Sequence, residues 1–173
     1  AGAYPESFGE GKLNGTQEND IYYLLGVAFK DMGDADSAKA AFEKAATGLS
    51  EPVGMMYYND QPPEMIFYQG LARLELGDGA GAAMRFDRLA AYGEKHYGDQ
   101  AKIEYFAVSL PDLQIFEEDL QKKNKAHCLF MTALGYLGKG NRNAARESLN
   151  RLYQIEPYHM GAKIHVENGL LGE

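Results

Sequence analysis

Apolar side chains in this chain return at intervals of three and four residues, which places them on one face of a helix. Three stretches share the pattern closely: Tyr23 to Asp34, Phe67 to Asp78 and Phe130 to Asn141. In each, a small residue (Gly26, Gly70 or Ala133) stands seven positions ahead of a glycine (Gly33, Gly77 or Gly140). An Asp or Asn follows directly, as Asp34, Asp78 and Asn141. Glycine adopts the left-handed conformation that ends a helix, and the short polar side chain caps the N–H groups of the next one. The dipeptide therefore predicts helix, tight turn, helix. The second helices agree with one another. Ala38, Ala82 and Ala145 come five residues after the turn glycine, Phe42, Phe86 and Leu149 four later, and Ala45, Leu89 and Leu152 three beyond those. Small residues let two antiparallel helices approach closely, and the large ones fill the gap.

Spacing between the units is irregular. From Gly26 to Gly70 is 44 residues, ten more than a 34-residue repeat period. The excess falls at Val53 to Pro62, in a loop running Tyr57, Tyr58, Asn59, Asp60, Gln61, Pro62, Pro63. Asp60 is placed to cap the following helix, with the prolines in its first turn, where a missing N–H costs little. Asp99 opens another apolar helix, and Ser109-Leu110-Pro111-Asp112 reads as a capping box before a further one. The chain thus divides into an arm over 1–18 and one helical domain over 19–173. Within the domain, hairpins cover about 19–52, 63–96 and 126–159, with a divergent pair over 99–123 and a capping helix over 158–171. The expected architecture is all-α, a right-handed superhelical stack of antiparallel hairpins.

The residues that define the hairpins also carry a resemblance. Tyr22, Leu25-Gly26, Phe29, Ala38, Phe42 and Ala45 resemble the tetratricopeptide repeat, and Pro157 stands where that family closes its third unit here. The second unit departs from the pattern with Gln69 and Arg73 and has no matching proline. Such arrays imply a groove lined by the first helices, and a role in binding protein segments. A second resemblance spans nearly the whole chain, through Gly9-Glu10-Gly11-Lys12-Leu13, the Tyr57 to Glu64 run and Asn124-Lys125-Ala126-His127-Cys128. It is similar to the C-terminal repeat region of large bacterial proteins that carry a β-rich domain of unknown function. That implies an accessory region of a bigger protein and brings no established activity.

Composition narrows the function. Charged residues make up 24% of the chain, too ordinary a share for disorder. The net charge of -8 is uneven: residues 1–60 hold 4 Lys/Arg against 10 Asp/Glu, and residues 122–173 hold 8 against 4. This polarity favours weak head-to-tail self-association. Nucleic acid is not an expected partner, because Lys122, Lys123 and Lys125 follow directly on Glu117, Glu118 and Asp119 rather than forming a basic stripe. No apolar run reaches the roughly 20 residues of a membrane helix. One cysteine, Cys128, fits a reducing compartment, and cytoplasmic residence is the expectation. The start at Ala1-Gly2-Ala3, without an initiator Met, reads as a segment of a longer protein.

Groove positions follow from the repeat register. Asp20, Tyr23, Val27, Lys30, Glu64, Phe67, Leu71, His127 and Phe130 should face it, and rigid aromatics beside charges suit an extended peptide or a partner loop. The same rings would alternatively pack between hairpins. Tyr57, Tyr58, Asn59, Asp60 and Gln61, with Glu64, form the loop candidate for a sugar or a docking domain. Asp112, Glu117, Glu118 and Asp119 raise glycosidase chemistry, but consecutive residues do not share one helix face, and a sugar cleft needs more helices than this chain has. His127-Cys128 lacks both the i, i+4 histidine spacing and the CxxC of a zinc site. The expectation is a non-catalytic protein-docking scaffold without cofactor or metal, a carbohydrate-recognising helical module being the alternative.

Overall fold

The computed structural model describes residues 17–54, 60–100 and 120–171. Six long helices run α1 (Asn19–Asp31), α2 (Ala35–Ala45), α3 (Pro63–Glu75), α4 (Gly79–His96), α5 (Leu120–Gly138) and α6 (Arg142–Ile155). A π-helical turn over Ala162–Glu167 then leads into a short α7 (Asn168–Leu171). No strand occurs among the described residues. Sequence-adjacent helices pack as pairs, and the first helices α1, α3 and α5 lie side by side. This is an all-helical repeat stack with a C-terminal segment folded onto its last hairpin.

The three turns are built alike. Gly33, Gly77 and Gly140 hold φ of 80°, 79° and 73°, where a Cβ would be strained. In the first, Gly33 N–H donates to Lys30 O at 3.0 Å and Asp34 N–H to Phe29 O at 2.9 Å, and the other two repeat the bonds. This pairing satisfies the orphan carbonyls of a helix end. The capping side chains then start the second helix: Asp34 Oδ1 accepts from Ser37 N–H at 3.1 Å, Asp78 Oδ1 from Gly81 at 2.8 Å and Asn141 Oδ1 from Ala144 at 3.2 Å.

Inside each hairpin the small residue and the large one meet. A Cβ on Gly26 would come within 2.6 Å of the Phe42 ring, and one on Gly70 within 2.4 Å of Phe86. The third hairpin uses Ala133 with the smaller Leu149, both in the core. Between hairpins, Gly93 and Gly135 bring α4 and α5 together: a Cβ on Gly135 would lie 2.6 Å from Ala90 N, one on Gly93 2.3 Å from Cys128 O. Cys128 itself is buried, and burial pushes its thiol up to about 11, which makes it an inert core residue. Two buried clusters result. A small one joins Ala38, Phe42 and Ala45 to Ala72, and a large one runs from Ile66 and Phe86 through Leu134 and Leu152 to Val166.

Three boundaries need comment. The N-cap of α3 is Pro62, extended and without a side-chain bond, so the N-cap position does not fall on Asp60. The reason is local: Pro63 occupies the first helical position, where its fixed φ suits the helix, and so sets the boundary directly before it. Helix α5 is already formed by Leu120, ahead of Ala126. Most of the divergent pair expected over 99–123, including its capping box, lies outside the described residues, as does most of the 1–18 arm.

Buried amides tie the pairs together. Asn19 Nδ2 donates to Ala45 O and Thr47 O, both at 2.7 Å, joining the start of α1 to the end of α2. Gln61 and Gln69 both donate to Leu49 O, at 2.5 and 2.8 Å. The unexpected Gln69 of the second repeat therefore fastens the linker that follows α2.

Candidate functional site

The first helices carry equivalent residues in register. Asp20, Glu64 and His127 occupy one position on α1, α3 and α5, and Tyr23, Phe67 and Phe130 the next rung. These rungs are not equally open. Tyr23 is half-buried, its ring centroid 5.8 Å from Phe42 and 5.4 Å from Tyr68. Phe67 is 4% exposed and packs against Tyr68 and Phe86. Phe130 is 3% exposed and stacks on His159, with ring centroids 4.8 Å apart. Val27 and Leu71 are partly buried along the same helices, each packed against a core cluster. Both phenylalanines therefore serve the core here.

The chain's own segments close the far end of this face. His127 Nε2 meets Val53 O at 2.8 Å, so the linker reaches α5. The C-terminal segment adds His159 over Phe130, and His165, whose Nδ1 lies 3.0 Å from the Tyr68 hydroxyl. Burial holds the Tyr68 hydroxyl protonated, its pKa pushed up to about 12, with the Asp20 charge adding to the effect. The protonated Tyr68 hydroxyl can donate to His165 Nδ1, the direction being set by the imidazole tautomer. Burial lowers the pKa of all three histidines. His127 and His159 also disfavour each other's charge, while the Val53 carbonyl and Asp60 favour that of His127.

What stays open is the α1–α3 end. Glu64 is largely buried, and desolvation, with a smaller contribution from Asp20, raises its carboxyl above the usual range. Neither Asp20 nor Glu64 has a cationic partner among the described residues. Lys30, at the far end of α1, pairs with Glu75 at 2.6 Å on the surface. Among the described residues, two carboxylates therefore sit without a counter-ion near the Tyr68 hydroxyl, whose proton both of them help to hold. Such a place can receive an ammonium or guanidinium group, which carboxylates and aromatic faces both attract.

The loop candidate divides. Tyr57, Tyr58 and Asn59 lie outside the described residues, as do Asp112, Glu117, Glu118 and Asp119. Asp60 is half-buried, and Gln61 is buried with its amide committed to Leu49. Among the described residues no three His, Cys, Asp or Glu side chains gather to hold a metal.

Sequence reasoning did not find Tyr68, His159 or His165. Tyr68 is legible afterwards as the neighbour of Phe67, but its pairing with His165 spans 97 residues and has no local signal. A second hollow was also missed. Two adjoining cavities of about 320 and 430 Å³ lie along α4, α5 and α6 and share Tyr97. That ring is flanked by Arg151 at 5.1 Å and Lys125 at 5.9 Å from its centroid.

The fold defines a class, the helical-repeat protein, whose stacked hairpins present extended surfaces for binding. Residues 20–47, the whole first hairpin, match the tetratricopeptide repeat family. That family is typically a non-catalytic platform for protein interactions. No solved structure matches the chain. No helix among the described residues is long and apolar enough to cross a membrane.

Proposed function

We propose that this chain is a non-catalytic docking scaffold, and that it receives a segment of a partner protein or of a neighbouring domain in its own parent polypeptide. The docked segment presents a Lys or Arg side chain to the open end of the first-helix face. Asp20 and Glu64, which have no cationic partner among the described residues, carry this reading, because a partly buried negative pair is at its most stable when a cation neutralises it. Half-buried Tyr23, backed by the buried Tyr68 ring, supplies the flat, rigid contact area that interface hot spots use. Residence in a reducing compartment such as the cytoplasm goes with the free thiol of Cys128.

The test uses fluorescence anisotropy with arrayed labelled peptides that carry either Lys/Arg or Asp/Glu at their centre. Basic peptides should bind and acidic ones should not, with affinity falling as salt rises. Asp20→Asn with Glu64→Gln should weaken binding at least tenfold while the circular dichroism spectrum and Tm hold. Equal binding by that folded double variant would reject the site.

A further inference from the structure

Helix α1 carries an apolar face that nothing in the described structure covers. Ile21, Leu24, Leu25 and Ala28 lie on one side of it, at the spacing of a buried helix face. Leu24 is 57% exposed and Leu25 41%. Aligning the three hairpins on their turn glycines shows what such a face normally does here. Ile21 corresponds to Met65 and Cys128, Leu24 to Tyr68 and Met131, Leu25 to Gln69 and Thr132, and Ala28 to Ala72 and Gly135. All eight counterparts are buried.

For Ala72, Thr132 and Gly135 the cover is of one kind. Ala72 is packed against Ala38, Phe42 and Ala45 of α2. Gly135 lies under α4, where a Cβ would stand 2.7 Å from Phe86 O, and Thr132 meets the same helix at Gly93. Each later first helix is thus covered by the second helix of the hairpin before it. The same interface, continued one step, ends on bare α1. We infer that α1 is the seat of one more helical hairpin of this repeat type, lying ahead of it in the polypeptide, whose second helix crosses it at Ala28. A second copy of the chain does not fit the seat. Its last second helix, α6, already carries the C-terminal segment, with Ala162, Val166 and Leu170 in the core beside Leu149 and Leu152.

The experiment supplies the hairpin in the chain's own register. Residues 19–62 are duplicated in tandem between Glu18 and Asn19, so that a copy of α2 and its linker precedes α1 as they precede α3. The duplicated protein should melt several degrees above the original. Leu24→Glu with Ala28→Glu, placed in the inner copy, should remove that gain, while the same pair in the unduplicated chain should leave its Tm nearly unchanged. No gain on duplication, or a gain indifferent to the pair, overturns the inference. So does an unduplicated chain that sediments as a dimer and becomes a monomer with the pair, since the occupant would then be a second copy.

Discussion

Glycine at a helix crossing is a statement about the residue it faces. Gly26 and Gly70 stand where a Cβ would meet a phenylalanine ring, while the third hairpin solves the same contact with Ala133 and Leu149. The exchange conserves volume, which is what a close-packed interior demands. Gly26→Ala alone should therefore destabilise the protein by about 1–3 kcal/mol through overpacking. Phe42→Leu alone should also cost stability, by leaving a gap. Together they reproduce the third hairpin's pair, and the double variant should be more stable than the two separate losses predict. Urea denaturation of the four proteins measures the coupling, and strictly additive losses would show that Gly26 and Phe42 do not share one contact.

Among the elements, the C-terminal segment is the one held by titratable groups. It is fastened by Ala162, Val166 and Leu170 in the core, by the Tyr153 hydroxyl on Glu167 at 3.0 Å and by Arg142 on Leu170 O at 2.8 Å. His165 meets Tyr68 while Asp20 favours its charge. His159 stacks on Phe130 and accepts from Ala162 N–H at 3.0 Å, with Glu156 favouring its charge. Burial lowers both histidines and His127 below the ordinary 6.5. A histidine depressed in the folded state holds fewer protons there than in the unfolded chain, so unfolding takes up protons. The stability these groups contribute is complete above pH 6.5 and is lost as the pH falls below it towards their folded values. The raised carboxyl of Glu64 acts in the opposite sense, at lower pH, above its ordinary 4.5. The Tm should therefore fall by a few degrees between pH 7.5 and 6. His165→Gln keeps an acceptor for Tyr68 without titrating, and should make the fall shallower. An unchanged slope in that variant would remove His165 from the account.

Across the whole molecule, stability should be graded. A repeat stack is nearly one-dimensional, so each hairpin draws its stability from itself and its neighbours. The middle and last hairpins share one large cluster, whereas the first depends on a small alanine-rich one and leaves a face of α1 bare. Native-state hydrogen exchange should show the amides of α1 and α2 opening at lower free energy than those of α4 and α5. Uniform protection along the chain would contradict this gradient.

Turns and helix crossings were legible in the residues because their causes lie within one hairpin. A left-handed glycine and a polar side chain three residues from the N–H it caps act within a few positions of each other, and the small residue meets its large partner across a single tight turn. The candidate face was legible only as a register: Asp20, Glu64 and His127 could be aligned, but not which of them solvent would reach. That depended on the linker carbonyl of Val53 settling on His127 and on His165 reaching Tyr68, contacts between residues far apart in the chain. The burial of Phe67 and Phe130, and the bare side of α1, likewise depend on which segments come to lie over each helix. A side chain's neighbours along a helix are set by its periodicity, but its cover is set by packing across the molecule. For that reason the repeat pattern could align equivalent positions on the first helices, while the assembled stack alone determined which of them are exposed among the described residues.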